Sequence, residues 1–487
     1  MSDKKFFLLL IALLVTFLFF PILFSPIVLA QSDLDFQIIE VKIDGSVELE
    51  FQNSNSRLEY FSADLKLFPR SSYREDVIDL KLKHQPSASV VQRNSIDYKW
   101  DDGYEKLSFG YDAKVKAWNR IFQIPADVPL VNFELSNELK RYLKESEFTD
   151  ITPAIREKAF EISAGSDTLY DATFKIAEWV RTNVKYDLNT LTEDAVQKSS
   201  WVLENRYGVC DEITNLFVSF MRSMNIPIRY VVGIAYSDAV EEGWAPHAWS
   251  EVYFPGYGWI PFDVTFGQYG WVDTGHVKLA ESVGSNEPSV EYTWKAVKVA
   301  LKDKKIELNT SIIEKGDKIF PLIELDAKIA NEKVKGGSMV PLEVKVKNLQ
   351  NYYLSTLVYI TSAPGIIGEN SKAILLKPRE ERKLNWILKV PELNGDFTYR
   401  SEIKLAESFG SEAKDELLID DKFELYGIED AEIEIERFEN EENAEDKIAN
   451  GKIIPDEEES IVSEEPEFEF LEKENFLKKF LRWLGWS

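Results

Sequence analysis

The sequence predicts an α+β chain: a mixed core, with a cysteine at the N-terminus of a helix packed on an antiparallel sheet, flanked by two β-sandwich domains. Three observations predict it. From Asp33 to about Leu130, apolar and polar residues alternate with the period of two of a half-buried strand. At about Glu134 the period becomes helical, and the last helix, which opens at the only cysteine, is followed by at least three strands. From about residue 290 to 425 the period of two returns. The length, 487 residues, allows about two to four domains.

In chain order, residues 1–30 read as a signal peptide or an N-terminal membrane anchor. Lys4 and Lys5 precede an apolar run from Phe6 to Ala30, and Val28-Leu29-Ala30 suits cleavage after small residues. Either outcome places the bulk of the chain outside the cytoplasm, secreted or at the cell surface. Residues 31–133 read as the first β domain. Within it, Val41 and Ile43, then Asp44-Gly45, then Val47, Leu49 and Phe51 read as a hairpin with its turn at Asp44-Gly45. Residues 134–289 form the core. Short helices are expected over "SNELKRYLKES" and "PAIREKAFEISAG", and a longer one over "DTLYDATFKIAEWVRTNVKY" with Asp167 as N-cap. Ile213, Leu216, Phe217, Phe220, Met221 and Met224 place a further helix after Cys210. Strands follow over "IPIRYVVGIAY", "HAWSEVYF" and, after a "PGYG" turn, "WIPFDVTF".

Residues 290–425 read as an immunoglobulin-like β-sandwich, with Leu342, Val344 and Val346 facing inward. Residues 426–474 read as an acidic disordered linker. The chain's net charge is -27, and this stretch carries more than half of it. Such a charge argues against nucleic-acid binding, which needs Lys and Arg to neutralise phosphates. Residues 475–487, "NFLKKFLRWLGWS" with the preceding Glu474 left out, read as an amphipathic cationic helix. Phe476, Leu477, Phe480, Leu481, Trp483 and Leu484 fall on one side and Lys478, Lys479 and Arg482 on the other, which suits a membrane surface.

The chemistry narrows by elimination. The sequence lacks HExxH, GxSxG, a phosphate-binding glycine loop and an EF-hand loop. Histidine occurs only at 84, 247 and 276, so no His-rich metal site exists, and no metal or cofactor is implied. One cysteine can form no intramolecular disulfide, so Cys210 is either a small buried hydrophobe or a reactive thiol. Helix N-termini favour thiolates through their exposed N–H groups and dipole. Cys210 stands at such a start, just after Gly208-Val209. A nucleophilic thiol needs a base and the base an orienting carboxylate. His247 opens one strand and Asp263 lies on the next, across a tight turn. Asp273 is a nearby rival for the carboxylate, and His276 reads as structural.

These segments, "VLENRYGVCDEITNLFVSFMRSMNIPIRYVVGIAY" and "HAWSEVYFPGYGWIPFDVT", resemble the transglutaminase-like core, a branch of the papain-like thiol enzymes. The resemblance spans roughly residues 150–282, about a quarter of the chain. It departs from the family pattern at Val264, where Pro usually follows the Asp. It implies a papain-like fold for the core, a Cys210 nucleophile, a His247 base and an Asp263 orienter. The Cys210 N–H is the expected oxyanion donor, with Tyr186 as a second, while Trp179 and Trp201 are assigned to the core. The implied activity is transfer or cleavage of an amide acyl group on a protein or peptide substrate. Hydrolysis by a protease or amidase is expected ahead of cross-linking, the alternative being a catalytically silent surface-binding or structural envelope module. The loop "SDAVEEGWAP", with Asp238, Glu241 and Glu242, would line the cleft.

Overall fold

The computed structural model describes residues 33–130, 135–187, 196–238, 243–393 and 397–449, with side chains to 438. The N-terminal segment 1–30, the tail 475–487 and the loop residues Glu241 and Glu242 lie outside the described residues. The described residues to Glu439 form one compact unit; of the second, Asn440–Ser487, only a helix end is described.

Six strands come first: β1 (Phe36–Phe51), β2 (Arg57–Leu65), β3 (Glu75–Gln85), β4 (Ser89–Gln92), β5 (Ile96–Trp100) and β6 (Lys106–Trp118). Alternation along β1 buries Ile39, Val41, Ile43, Val47 and Leu49. The hairpin expected at Asp44-Gly45 does not form. β1 runs straight through, in unbroken antiparallel register with β6 from Phe36↔Trp118 to Glu48↔Lys106. Gly45 is there for a different reason: a Cβ at this position would lie 2.4 Å from the Phe109 ring. A glycine that admits an aromatic ring from the neighbouring strand mimics a turn signal in the sequence.

The next segment leaves this layer before residue 134, since Ile124 and Val128 already pack in the core. There, α1 (Asn137–Lys140) leads through a 3₁₀ turn, Arg141–Leu143, to α2 (Pro153–Ile162) and α3 (Leu169–Asn183). Thr168, rather than Asp167, caps α3: its hydroxyl accepts from the Asp171 N–H. Then come β7 (Lys185–Tyr186), α4 (Ser199–Asn205), β8 (Tyr207–Gly208) and α5 (Cys210–Ser223). Five strands follow: β9 (Ile228–Tyr236), β10 (Trp244–Phe254), β11 (Gly258–Asp263), β12 (Gln268–Tyr269) and β13 (His276–Ser282). They form one antiparallel sheet in the order β12-β11-β10-β9-β13. Helix α5 is buried along almost its whole length, packed on β9 and β10 and ringed by α2, α3 and α4. Ile213, Leu216, Phe217, Phe220 and Met221 share its core with Ile228, Val252, Ile260 and Phe262. Arg222 fastens its end, donating to the carbonyls of Tyr142, Lys144, Ile228 and Val283.

The boundary expected at residue 290 is displaced. β14 (Val290–Val297) pairs with β2, and β15 (Val299–Lys315) pairs with β1 along nearly its full length. Both complete the first β layer, whose sheets run β15-β1-β6-β3 and β14-β2-β5-β4 around one shared core. Their alternation cannot tell which sheet they join, because period two reports a strand's burial and not its partner. The last layer comprises β16 (Ile323–Ile329), β17 (Lys333–Val334), β18 (Met339–Asn348), β19 (Leu354–Ser362), β20 (Ile366–Ile367), β21 (Ser371–Leu376), β22 (Glu381–Lys389), β23 (Tyr399–Glu407) and β24 (Glu412–Ile419). They form the sheets β16-β18-β22-β20 and β17-β24-β23-β19-β21. Leu342, Val344 and Val346 are fully buried in their common core. Trp271 joins them from the mixed core: its indole N–H donates to the Ser355 carbonyl at 3.0 Å and its ring lies 4.5 Å from that of Phe409.

Disorder from residue 426 onward, expected on charge alone, is not found over the next stretch. Helix α6 spans Ile428–Ala449 and buries Ala431 and Phe438. Two apolar anchors hold the described part of an otherwise solvated acidic helix. Among the described residues no helix is long and apolar enough to cross a membrane.

Candidate active site

The site is built around the start of α5. Helix α4 ends with Arg206 in the left-handed conformation at φ 65°, which turns the chain into β8. There Tyr207 and Gly208 pair in parallel with Lys185 and Tyr186. Gly208 is obligatory, since a Cβ would lie 2.4 Å from that of Glu212. Glu212, itself buried, accepts from the Val209 N–H at 3.0 Å and from the Gln197 N–H at 3.1 Å. This supplies the Glu half of a capping box and ties the preceding loop to the first turn of the helix. Cys210 is thus delivered at the first helical position, partly exposed and unpaired with any other cysteine. The N–H groups of that turn have no intrahelical acceptor.

His247 comes from β10. Its register partner on β9 is Gly233. A Cβ there would fall 2.5 Å from the Trp249 ring and 2.2 Å from the Val277 carbonyl oxygen. The glycine therefore lets Trp249 lie flat beneath His247, the two rings stacked at 6.1 Å. Phe266 stacks on His247 as well, at 4.7 Å. Asp263 ends β11, one residue past the Ser250↔Phe262 pair. It would face Trp249, and His247 is its diagonal neighbour two residues on.

His247 Nε2 lies 2.6 Å from Asp263 Oδ2. Asp263 is fully buried, and its Oδ1 accepts from the Phe266 N–H at 3.0 Å. With Nε2 engaged, Nδ1 of His247 is the ring nitrogen left for another partner, and Cys210 is close enough to act on the charge of this ring. Burial by itself pulls the imidazole toward its neutral form. The Asp263 charge, the bond to it and the Cys210 sulfur outweigh burial and raise the His247 pKa to about 10. Burial likewise works against the Asp263 charge, but His247 and then His276 hold it well below the usual carboxylate range.

The structure pairs His247 with Asp263 and sets Cys210 at the start of the helix that packs on the His247 strand. Asp273, the rival carboxylate, pairs instead with His276, 2.8 Å from its Nδ1. Tyr186 is half exposed, with its backbone opposite Gly208 two residues before Cys210. Burial first, and then the negative potential of Cys210 and the neighbouring carboxylates, push its phenol well above the usual tyrosine range. Trp179 and Trp201 pack against the core, as expected of them. Asp238 is exposed at the end of β9.

Sequence reasoning missed four participants. Glu212 stands at the third position after a helix start, where Glu is a recognised capping signal. Phe266 carries no local signal, and Gln268 and His276 share only the nearby Asp273; the contacts that join them to Asp263 and His247 exist only once the sheet is formed. Among the described residues, the group with ligand atoms close enough to hold a cation is His247, Asp263 and His276, within 4.8 Å of one another. Those atoms already bond to each other through Asp263 Oδ2, an arrangement for sharing protons.

Comparison with known proteins places residues 156–264 in the transglutaminase-like superfamily by its family model. The uncharacterised protein YebA of Bacillus subtilis is 28% identical over 130 residues, which cover 23% of this chain and 17% of that relative's length. Among solved structures, a candidate cysteine protease from Cytophaga hutchinsonii aligns over 59% of this chain and 94% of its own, with 17% identity and a TM-score of 0.40. The periplasmic domain of TgpA from Pseudomonas aeruginosa aligns over 48% of this chain and 88% of its own, with 14% identity and a TM-score of 0.25.

Proposed function

From the premise that this chain carries a transglutaminase-like domain over residues 156–264, we propose that it is a thiol enzyme that transfers or cleaves amide acyl groups at Cys210. One observation carries the reading: an imidazole whose Nε2 lies 2.6 Å from a fully buried carboxylate stands on the strand packed against the helix at whose first position the thiol sits.

In the proposed reaction, Cys210 Sγ passes its proton to His247 Nδ1 and attacks the amide carbonyl carbon. The oxyanion that forms accepts from the Cys210 N–H and, in the proposed geometry, from the Tyr186 hydroxyl, which the raised phenol pKa keeps protonated. His247 then gives its proton to the departing nitrogen; the C–N bond breaks and a thioester remains. Water, deprotonated by His247, attacks the thioester, and the acid leaves as Sγ recovers its proton. Replacing water with a Lys amine gives an isopeptide bond by the same steps. Hydrolysis is the proposed outcome, with a protein or peptide as substrate. Asp263 keeps Nε2 of His247 protonated throughout, which directs Nδ1 at the sulfur.

Export by residues 1–30 is part of the same proposal, as is contact of residues 475–487 with a membrane surface; both rest on the charge and apolar patterning of those segments. The test of function incubates the full chain and Cys210→Ala with a protein library and scores the products by mass spectrometry. New amino termini made only by the unmodified chain support hydrolysis, and new Gln–Lys links support transfer. No product above that of Cys210→Ala would favour a silent binding module.

A further inference from the structure

We propose that His276 is a positioning residue of this site: a buried, permanently protonated imidazolium that shares Asp263 Oδ2 with His247 and so limits how tightly Asp263 holds the His247 proton. Its kinetic consequence rests on the reading of Cys210 as nucleophile, whereas its protonation does not.

The hydrogen bonds fix the protons. His276 Nε2 lies 3.0 Å from Asp263 Oδ2, the oxygen that His247 Nε2 also contacts. His276 Nδ1 lies 2.8 Å from Asp273 Oδ1. Asp273 takes two further donors: the Gly275 N–H on Oδ1 and Gln268 Nε2 on Oδ2, both at 2.8 Å. Gln268 cannot be turned the other way, because its Oε1 accepts the Asp273 N–H at 3.0 Å. Donors converging on Asp273 favour its ionised form, and an ionised carboxylate can only accept. His276 therefore donates from both nitrogens, one to each carboxylate. It is fully buried, which disfavours its charge; Asp273 first, and then the bonds to Asp263 and Asp273, reverse that and raise its pKa.

The charged groups that face it come from every side. Asp263 and His247 stand on β11 and β10, and Asp273 on the turn before β13. Arg74, buried just before β3, donates to the Asp273 carbonyl at 2.7 Å. Two residues further along β13, the Lys278 N–H donates to Glu75 of β3. Trp249 and Phe266 wall the ring, each 5.3 Å away and edge-on. From His247 inward the groups alternate in sign: imidazolium, carboxylate, imidazolium, carboxylate. Asp263 divided between two cations binds each proton less tightly than it would bind one, so His247 can still release its proton during turnover. A histidine that only filled the core would have no cause to bond to the same oxygen as the base.

Neither arm of the test needs a substrate. The chain holds three histidines, so nitrogen-15 spectra of histidine-labelled full-length protein resolve every ring. The expected result is one ring, lost in His276→Gln, with both nitrogens at imidazolium shifts from pH 6 to 9. A neutral tautomer for that ring at pH 7 would overturn the proposal. The second arm measures the rate of Cys210 alkylation by iodoacetamide against pH. Gln can still donate to Asp263 but brings no charge. Removing a cation from the network should move the midpoint of the His276→Gln profile to higher pH by on the order of half a unit. A folded His276→Gln whose profile superimposes on that of the unmodified protein would reduce His276 to a structural role. Should His276→Gln fail to fold, its ring is assigned by elimination from the spectra of His84→Gln and His247→Gln, and its shifts still decide.

Discussion

Cys210→Ala removes the only thiol in the chain. Cys210 is partly exposed and fills little of the core, so this variant should lose all turnover while its melting temperature stays within a few degrees of the parent. Asp263→Asn keeps the shape but presents an amide to His247 and can favour the wrong tautomer. It should lower kcat by roughly 10⁴-fold, measured on whichever substrate the library screen returns. At this scale the sequence was most legible where neighbours in the chain share one job. Gly208, Cys210 and the start of α5 sit within a few residues, as do His247 and the strand that carries it. It was least legible at His276. Asp273, three residues earlier, is the one partner its neighbourhood in the sequence offers; Asp263 reaches it from the end of β11 only once the sheet is formed.

Among the elements, the first turn of α5 depends on one carboxylate. Glu212→Ala would leave the N–H groups of Val209 and Gln197 without the acceptor that each now has there. A loss of roughly 1–3 kcal/mol in urea unfolding is expected, together with slower alkylation of Cys210 as its loop loosens. Glu212→Gln, which keeps an acceptor, should lose less. Period two identified the strands well but not their partners. In the sequence, β14 and β15 read as the start of the following β layer, whereas they complete the preceding one. The straight course of β1 was hidden by Asp44-Gly45, a dipeptide that signals a turn wherever tertiary contacts do not decide otherwise. Helix α6 was hidden by its charge. Because Ala431 and Phe438 are buried, limited proteolysis should leave a fragment that extends past Phe438. A stable product ending near residue 425 would contradict that docking.

On the scale of the whole molecule, the first β layer reaches behind the site through Arg74 and Glu75. Glu75 is buried with Oε1 on the Lys278 N–H and Oε2 without a partner. Burial is the main cause of its rise to a pKa of about 7. A carboxyl whose pKa is higher folded than unfolded binds more protons in the native state between those two values. Its contribution to stability therefore falls as pH rises from about 4.5 to about 7. Glu75→Gln should raise stability by roughly 1–3 kcal/mol at pH 8 and by little at pH 5, read from urea unfolding at both. His247 has the same sign over a higher range: its contribution is full below about 6.5 and is lost as pH rises through about 10. The reactivity assigned to Cys210 is likewise a property of the folded chain, since α5, β10 and β11 must meet before the thiol has a base. The most direct test of that claim is the second-order rate of iodoacetamide alkylation at pH 5.5, measured on the native chain, on the chain unfolded in guanidinium and on native His247→Gln. With one cysteine present, the label reports on Cys210 alone. The native protein should react at least about tenfold faster than the unfolded chain, and His247→Gln should erase most of that gain. A native rate at or below the unfolded rate would contradict an activated nucleophile at Cys210.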